Sequence, residues 1–197
     1  MWTLVPGLTA SVLPVMVLDP FAALGLPRRF AFDRAQVEAR HRELSKALHP
    51  DKYVNAPGNE RRLALSKAVA VNEAWRVVRD PVKRAEALLA SAGLGGEVGE
   101  TREPMPSPDF LMEVMEAREQ LEEASDAKDL STLTKVIEAA TTQQQTIEAE
   151  LGAALDSALA RGDAAALRAA IPLLGRLRYA ARFLDEARAI EDRLAGL

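Results

Sequence analysis

The chain has 197 residues, and its content of 48% hydrophobic and 27% charged residues excludes a wholly disordered or collagen-like protein. It contains no cysteine, which excludes disulfides, cysteine-ligated metal sites and a thiol nucleophile, and its two histidines disfavour a histidine-rich metal site. The formal net charge of −4 divides into +5 over residues 1–93 and −9 over residues 94–197. Two segments of opposite charge predict two domains with different partners.

The first 18 residues are apolar, but they lack the pattern of a signal peptide or of a membrane span. No Lys or Arg precedes the apolar run, and Pro6 and Pro14 interrupt it. A membrane span needs about 20 unbroken apolar residues. We therefore expect residues 1–18 to form a disordered extension. The absence of cysteine fits a reducing compartment, and we expect a cytoplasmic protein that does not bind a membrane.

Helix formers dominate the rest of the chain and alternating strand patterns are nearly absent, so the sequence predicts an all-α protein. A first long helix is expected to start after Asp33, a good N-cap residue, and to end before Pro50. Its exposed face carries Arg40, Arg42 and Lys46. This pattern predicts a basic surface on the helix.

A loop over residues 49–58 follows, and apolar residues at spacings of three and four predict a second helix over about 60–79. Its apolar stripe includes Trp75, for which we expect a place in the core. Asp80 and the proline after it start a short helix that ends at Gly93. Residues 94–106 are rich in glycine and proline and are predicted to be a linker, so that residues 19–93 form the first domain.

Residues 107–197 predict a second, helical domain. A serine cap followed by proline starts a helix of about 17 residues, and a long helix follows over about 130–160. A last helical region over 164–194 is expected to kink or restart at Pro172. Three helices joined by short loops predict an antiparallel bundle.

The segment His49-Pro50-Asp51 lies in the loop between a basic helix and an amphipathic one. With a short helix before the basic one and another after the long one, residues 19–93 resemble a J-domain. Five segments extend the resemblance to the HscB type of co-chaperone: HPDKY (49–53), NEAW (72–75), RDPVKRAEALL (79–89), FLMEVMEAREQLEE (110–123) and LRYAARFLDEARAIEDRL (177–194). The resemblance covers about residues 19–197, which is almost the whole chain. Unlike some relatives, this chain has no paired Cys-x-x-Cys zinc module, and Glu43 and Ala47 interrupt its basic helix.

The resemblance implies a role in iron–sulfur cluster assembly without an enzymatic activity or a cofactor of its own. The J-domain would engage a DnaK-like or HscA-like ATPase chaperone, and the bundle would bind an IscU-like cluster scaffold. The His-Pro-Asp loop would couple docking to ATP hydrolysis in the chaperone. The implied chaperone-binding residues are His49, Pro50, Asp51, Lys52, Arg40, Arg42 and Lys46.

The helix that starts the second domain has more apolar surface than a bundle needs. One stripe suffices for the core: Phe110, Val114, Ala117 and Leu121. A second group lies off that stripe and continues into carboxylates: Leu111, Met112, Met115, Glu116, Glu119 and Glu123. By the residues alone, this group either binds a partner or packs on the linker or the J-domain. The resemblance favours scaffold binding and adds Tyr179.

Other functions remain as alternatives. A general J-domain protein with a different client would differ at the surface around Leu111, Met112, Met115 and Glu116. A nucleic-acid binder would use the basic first half, but the second half of charge −9 would be repelled by phosphates. A hydrolase would need a nucleophile, a base and an orienting group, a set that the sequence does not offer. His41 lies on an apolar stripe and is expected to be packed rather than to bind a ligand.

Overall fold

The computed structural model describes residues 19–99 and 106–196, so the predicted extension over residues 1–18 lies outside the described residues. Within these ranges the regular structure is helical, as the sequence predicts. The α-helices are α1 (Pro20–Leu24), α2 (Arg34–Ala47), α3 (Gly58–Arg79), α4 (Pro81–Ser91), α5 (Pro108–Asp126), α6 (Leu130–Arg161), α7 (Ala164–Ala169) and α8 (Ile171–Ala195). A short 3-10 turn, Pro50–Tyr53, lies between α2 and α3.

Local capping explains where most of these helices begin. The carboxylate of Asp33 accepts a hydrogen bond from the N–H of Ala35 at the start of α2. Asp80 does the same for Val82 and Lys83 at the start of α4. Each cap satisfies N–H groups that have no partner inside the helix. The predicted starts after Asp33 and Asp80 are therefore confirmed.

The last predicted helical region is divided into α7 and α8. Asp163 caps α7, which ends after six residues, and Pro172 lies in the first turn of α8. Proline is tolerated there because the first N–H groups of a helix have no intrahelical acceptor. Gly162, with a φ of 64°, ends α6 in the left-handed conformation that suits glycine. The chain thus restarts at Pro172, as expected.

The first half of the molecule is a hairpin of α2 and α3, with α1 packed against α3. His41 on α2 stacks on Trp75 on α3 with ring centroids 5.0 Å apart. The Nε2 atom of His41 also lies 3.1 Å from Oδ1 of Asn72. Trp75 is half-buried at the edge of the core. His41 is therefore a packing residue that joins the two arms of the hairpin, as expected.

The second half is a bundle of α5, α6 and α8 with two apolar clusters. The distal cluster is small and lies near the turn between α5 and α6, with Leu121, Leu133 and Phe183 buried in it. The larger cluster continues without a break into the first half. Its members include Phe21, Leu88, Leu94, Leu151, Leu155 and Leu174. The hairpin and the bundle therefore share one core, which holds the two halves against each other.

Among the described helices, none is long and apolar enough to cross a membrane. α6 is the longest, with 32 residues, and it carries charged side chains along its exposed sides. The length of α6 lets it span both halves of the molecule, because one end packs against α5 and the other end reaches the first half.

Candidate functional site

The loop between α2 and α3 is held in a tight turn that presents its side chains to solvent. His49 has extended backbone, and Pro50 starts the 3-10 turn with its fixed φ. The N–H of Asp51 donates to Nδ1 of His49 at 3.4 Å, and the Asp51 carboxylate lies 3.5 Å from the same nitrogen. The side chains of His49 and Asp51 are 60% and 85% exposed. A partner therefore has access to both groups.

A basic face lies beside this turn. Arg42 and Lys46 are one helical turn apart on α2, and both are exposed. Lys52, in the 3-10 turn, is also exposed. The structure thus brings three of the expected cations together with the His-Pro-Asp turn.

Arg40 lies on another side of α2, and its side chain is 46% exposed. Side chains two residues apart on a helix diverge by about 200°, which directs Arg40 away from Arg42. Its Nε donates to the carbonyl oxygen of Leu24 at 3.3 Å, and its Nη1 lies 3.3 Å from Glu43. Arg40 therefore holds the C-terminal end of α1 against α2. The sequence predicts Arg40 as a chaperone-binding residue, and only the tertiary structure shows its contact with α1.

An apolar groove beside the turn was missed in the sequence. Leu65 on α3 lines it and is 58% exposed, and Val69 lies one turn further along the same side. The Tyr53 hydroxyl donates to the carbonyl oxygen of Ala47 at 3.4 Å and helps to hold the turn. The other lining residues are Leu48, Pro50, Arg61, Arg62 and Ala64. The sequence did contain an indication of this groove, because Leu65 and Val69 are apolar residues that lie off the core stripe of their helix.

The second predicted surface lies on α5. Phe110, Val114 and Leu121 are buried, as the core stripe predicts. Met112 and Met115 are 59% and 69% exposed, so most of each side chain remains accessible to a partner. The remaining members are half-buried or exposed: Leu111 is half-buried, and Glu116, Glu119 and Glu123 are exposed.

Two cross-helix contacts set the register between α5 and α8. The guanidinium of Arg176 lies 5.0 Å from the centre of the Phe110 ring, and Arg118 pairs with Glu186 at 2.9 Å. The two helices are therefore parallel, and Tyr179 lies level with about residues 111–113 of α5. Tyr179 is 40% exposed. The structure thus brings Tyr179 to the same end of the bundle as Leu111, Met112 and Met115.

The charge of this surface is strongly negative. α5 carries seven carboxylates and one arginine. The exposed methionines precede Glu116, Glu119 and Glu123 in the chain, and the spacings between these residues are three and four. Apolar and acidic groups therefore share one side of the helix. Such a surface is complementary to a partner that presents aliphatic and basic groups.

In the residues that the structure describes, no cluster of three histidine or carboxylate side chains has a metal-binding arrangement.

A helical hairpin with an exposed His-Pro-Asp turn, joined to a bundle with an apolar and acidic surface, defines a co-chaperone of the J-domain class. Proteins of this class act through partners rather than as enzymes.

Family comparisons support this assignment and make it specific. Residues 19–87 match the DnaJ domain, and residues 106–188 match the HSCB C-terminal oligomerisation domain. The chain is 33% identical over 184 residues to the co-chaperone protein HscB homolog of Vibrio vulnificus (strain CMCP6), covering 91% of this chain and 100% of the relative. It is 36% identical over 148 residues to that of Burkholderia mallei (strain SAVP1), covering 75% and 83%. The chain belongs to the HscB family of co-chaperones.

Solved structures agree with this. The chaperone HscB from Vibrio cholerae superposes with a TM-score of 0.68 at 30% identity, over 89% of this chain and 98% of the other. The human co-chaperone protein HscB superposes with a TM-score of 0.72 at 23% identity, over 89% and 83%. At 23% identity, the superposition with the human protein shows a shared fold only.

Proposed function

We propose that this protein is a cytoplasmic co-chaperone of iron–sulfur cluster assembly. It binds an IscU-like cluster scaffold, delivers it to a DnaK- or HscA-class chaperone and stimulates the ATPase of that chaperone. The observation that carries this proposal is the presence of two different exposed surfaces on one molecule, the His-Pro-Asp turn with its basic face and the apolar, acidic side of α5. Membership of the HscB family supports it.

The chaperone docks on the first surface. Arg42, Lys46 and Lys52 attract an acidic surface and accelerate the encounter, while His49 and Asp51 contact the chaperone directly. The groove lined by Leu65 continues from the same turn and receives an apolar group of the chaperone. Arg40 has a structural role in this scheme, because it bonds to α1.

The scaffold docks on the second surface, where Leu111, Met112 and Met115 provide apolar anchors. Methionine side chains adapt to irregular partner surfaces, and Tyr179 adds an aromatic ring at the same end of the bundle. The carboxylates of Glu116, Glu119 and Glu123 meet basic groups of the scaffold. Binding both partners at once raises the effective concentration of scaffold at the chaperone, and this accounts for delivery without any chemistry by this chain.

The test combines a scaffold titration with a chaperone ATPase assay. We expect saturable binding of an IscU-like scaffold to the full chain and a rise in ATPase rate when the chain is added to the chaperone. Stimulation without scaffold binding would instead support the alternative, a general J-domain co-chaperone with a different client. Absence of stimulation would refute a co-chaperone function with that chaperone.

A further inference from the structure

One carboxylate of the bundle bonds directly to the backbone of the J-domain. Asp156, on α6, accepts hydrogen bonds from the consecutive N–H groups of Phe30 at 2.5 Å and Ala31 at 3.0 Å. Phe30 and Ala31 belong to the loop between α1 and α2, just before the helix that leads to the His-Pro-Asp turn. The two bonds therefore connect α6 to the base of α2 across 125 residues of sequence.

The next contact is a close approach that only glycine permits. A Cβ atom on Gly152 would lie 2.7 Å from Cδ1 and 3.2 Å from Cε1 of the Phe30 ring. The ring itself is buried. Glycine within a helix costs about 1 kcal/mol relative to alanine. The absence of a side chain at Gly152 therefore lets the Phe30 ring rest on the backbone of α6.

Arg84 of α4 closes the arrangement from the other side. Its guanidinium lies 4.3 Å from the centre of the Phe30 ring, and its Nη2 donates to Glu148 on α6 at 3.0 Å. Burial lowers the pKa of Arg84, and the neighbouring Glu148 carboxylate partly offsets that effect. Cation–π contacts of this kind stabilise by about 0.5–2 kcal/mol. Phe30 is thus held between an arginine of its own domain and a glycine of the other.

These three contacts lie on one stripe of α6. Glu148, Gly152 and Asp156 follow each other at intervals of four residues, so they face the same direction. Each one meets a different group of the J-domain: a guanidinium, an aromatic ring and two backbone N–H groups. We call this stripe the α6 stripe.

At the junction between the two halves, apolar contacts provide attraction, whereas directional contacts select an orientation. The shared apolar core pulls the two halves together, but hydrophobic attraction is non-directional and permits several orientations. Hydrogen bonds to two particular N–H groups, and a ring resting on a glycine, are satisfied in one orientation only. The α6 stripe therefore contributes to the selection of the angle between α2 and the bundle, together with the ion pair of Arg178 on α8 with Glu86 on α4 at 2.9 Å.

We propose that Gly152 and Asp156 are positioning residues, which fix the direction of the His-Pro-Asp turn relative to the scaffold-binding side of α5. The inference rests on the proposed function, because the consequence of a fixed direction is efficient transfer of a bound scaffold to a docked chaperone. When two sites must act together, effective concentration depends on geometry, and a wider range of orientations lowers it. Neither residue contacts either partner in this scheme.

The first experiment measures orientation without any partner. The chain has no native cysteine, so spin labels on Lys67→Cys in α3 and Glu138→Cys in α6 report the distance between the two halves by double electron–electron resonance. We expect one narrow distance distribution in the parent protein. Gly152→Ala, which favours the helix but displaces the ring, should broaden or split it.

Asp156→Asn is the second variant. Asparagine offers one carbonyl oxygen to two N–H groups and directs an amide NH₂ at the other, so it should broaden the distribution too. Matched controls are Gly96→Ala, where an added Cβ meets nothing within 4 Å, and Asp185→Asn on the exposed side of α8. Both controls should leave the distribution unchanged. If Gly152→Ala does not fold, Asp156→Asn alone decides the question.

The functional experiment separates positioning from general stability. Affinity for scaffold alone and stimulation of the chaperone without scaffold should each change less than twofold in both variants. The scaffold concentration that gives half-maximal ATPase stimulation in the presence of the co-chaperone should rise at least fivefold. Unchanged distances, or broadened distances with unchanged coupling, would overturn the inference. A parent protein that stimulates no ATPase would refute the proposed function instead, while the distance measurement would still decide the orientation.

Discussion

The two exposed surfaces of this molecule differ in their physics. The turn and basic face of the J-domain combine a small rigid motif with the cations of Arg42, Lys46 and Lys52. The side of α5 combines exposed methionines with a row of carboxylates. The first surface depends on one motif and on long-range charge, whereas the second depends on buried apolar area after docking. In the proposed function, the molecule would separate recognition of its two partners by opposite charges and unequal amounts of apolar surface.

The largest expected effect comes from His49→Gln. Loss of the imidazole from the exposed turn should abolish stimulation of the chaperone ATPase, because the motif has no second residue of this type. Affinity for the scaffold should not change, since α5 lies in the other half of the molecule. The same substitution at the packed histidine, His41→Gln, is the control. It should lower the free energy of unfolding and retain stimulation by the folded protein. If His49→Gln stimulated the chaperone ATPase as strongly as the parent protein does, the His-Pro-Asp turn would not be part of the docking surface.

The second effect tests the apolar surface. Replacing Leu111, Met112 and Met115 with alanine should cost about 1 kcal/mol each in scaffold binding, or about 100-fold in affinity altogether. Helicity should be kept, because alanine is a good helix former. Leu130→Ala, at another exposed leucine of the same bundle, is the control and should bind scaffold normally. Isothermal titration measures the affinity, and equal affinity of the triple variant would exclude this side of α5.

A smaller effect separates the two surfaces by salt. Arg42→Ala with Lys46→Ala should weaken chaperone docking about three- to tenfold, at about 0.3–0.7 kcal/mol for each exposed charge. It should also reduce the dependence of docking on ionic strength. Arg40→Ala is the informative control, because its partner is Leu24 of α1 and not the chaperone. Surface plasmon resonance at several salt concentrations measures both quantities. If chaperone docking of Arg40→Ala lost its salt dependence, Arg40 would be part of the chaperone-binding surface.

The smallest effect concerns the turn that precedes α6 at the distal end of the bundle. Hydrogen bonds from Thr132 and then the N–H of Ser131 lower the pKa of Asp129. A lowered pKa in the folded state means that the ionised carboxylate stabilises the fold above the ordinary aspartate range. That contribution is lost as the pH falls through the lowered pKa. Thermal melts should therefore show less acid sensitivity at low pH in Asp129→Asn than in the parent protein. Parallel pH profiles would contradict this.

Much of the local structure was readable because its causes are local. Asp33 and Asp80 start helices by bonding N–H groups two or three residues away, and Pro172 restarts a helix because its ring fits only the first turn. The His-Pro-Asp turn and the apolar excess of α5 were visible for the same reason. Each depends on residues within a few positions of one another.

The tertiary structure decided what depends on distant residues. The sequence placed Arg40 on the basic face, but the packing of α1 gives it a backbone acceptor at Leu24. No local pattern linked Asp156 to Phe30, because their contact joins residues 126 apart. Side-chain spacing determines which residues share a face, whereas only packing determines what that face meets. The sequence by itself therefore determined the helices, the turn and the surplus apolar residues, and the fold determined how the two surfaces are oriented.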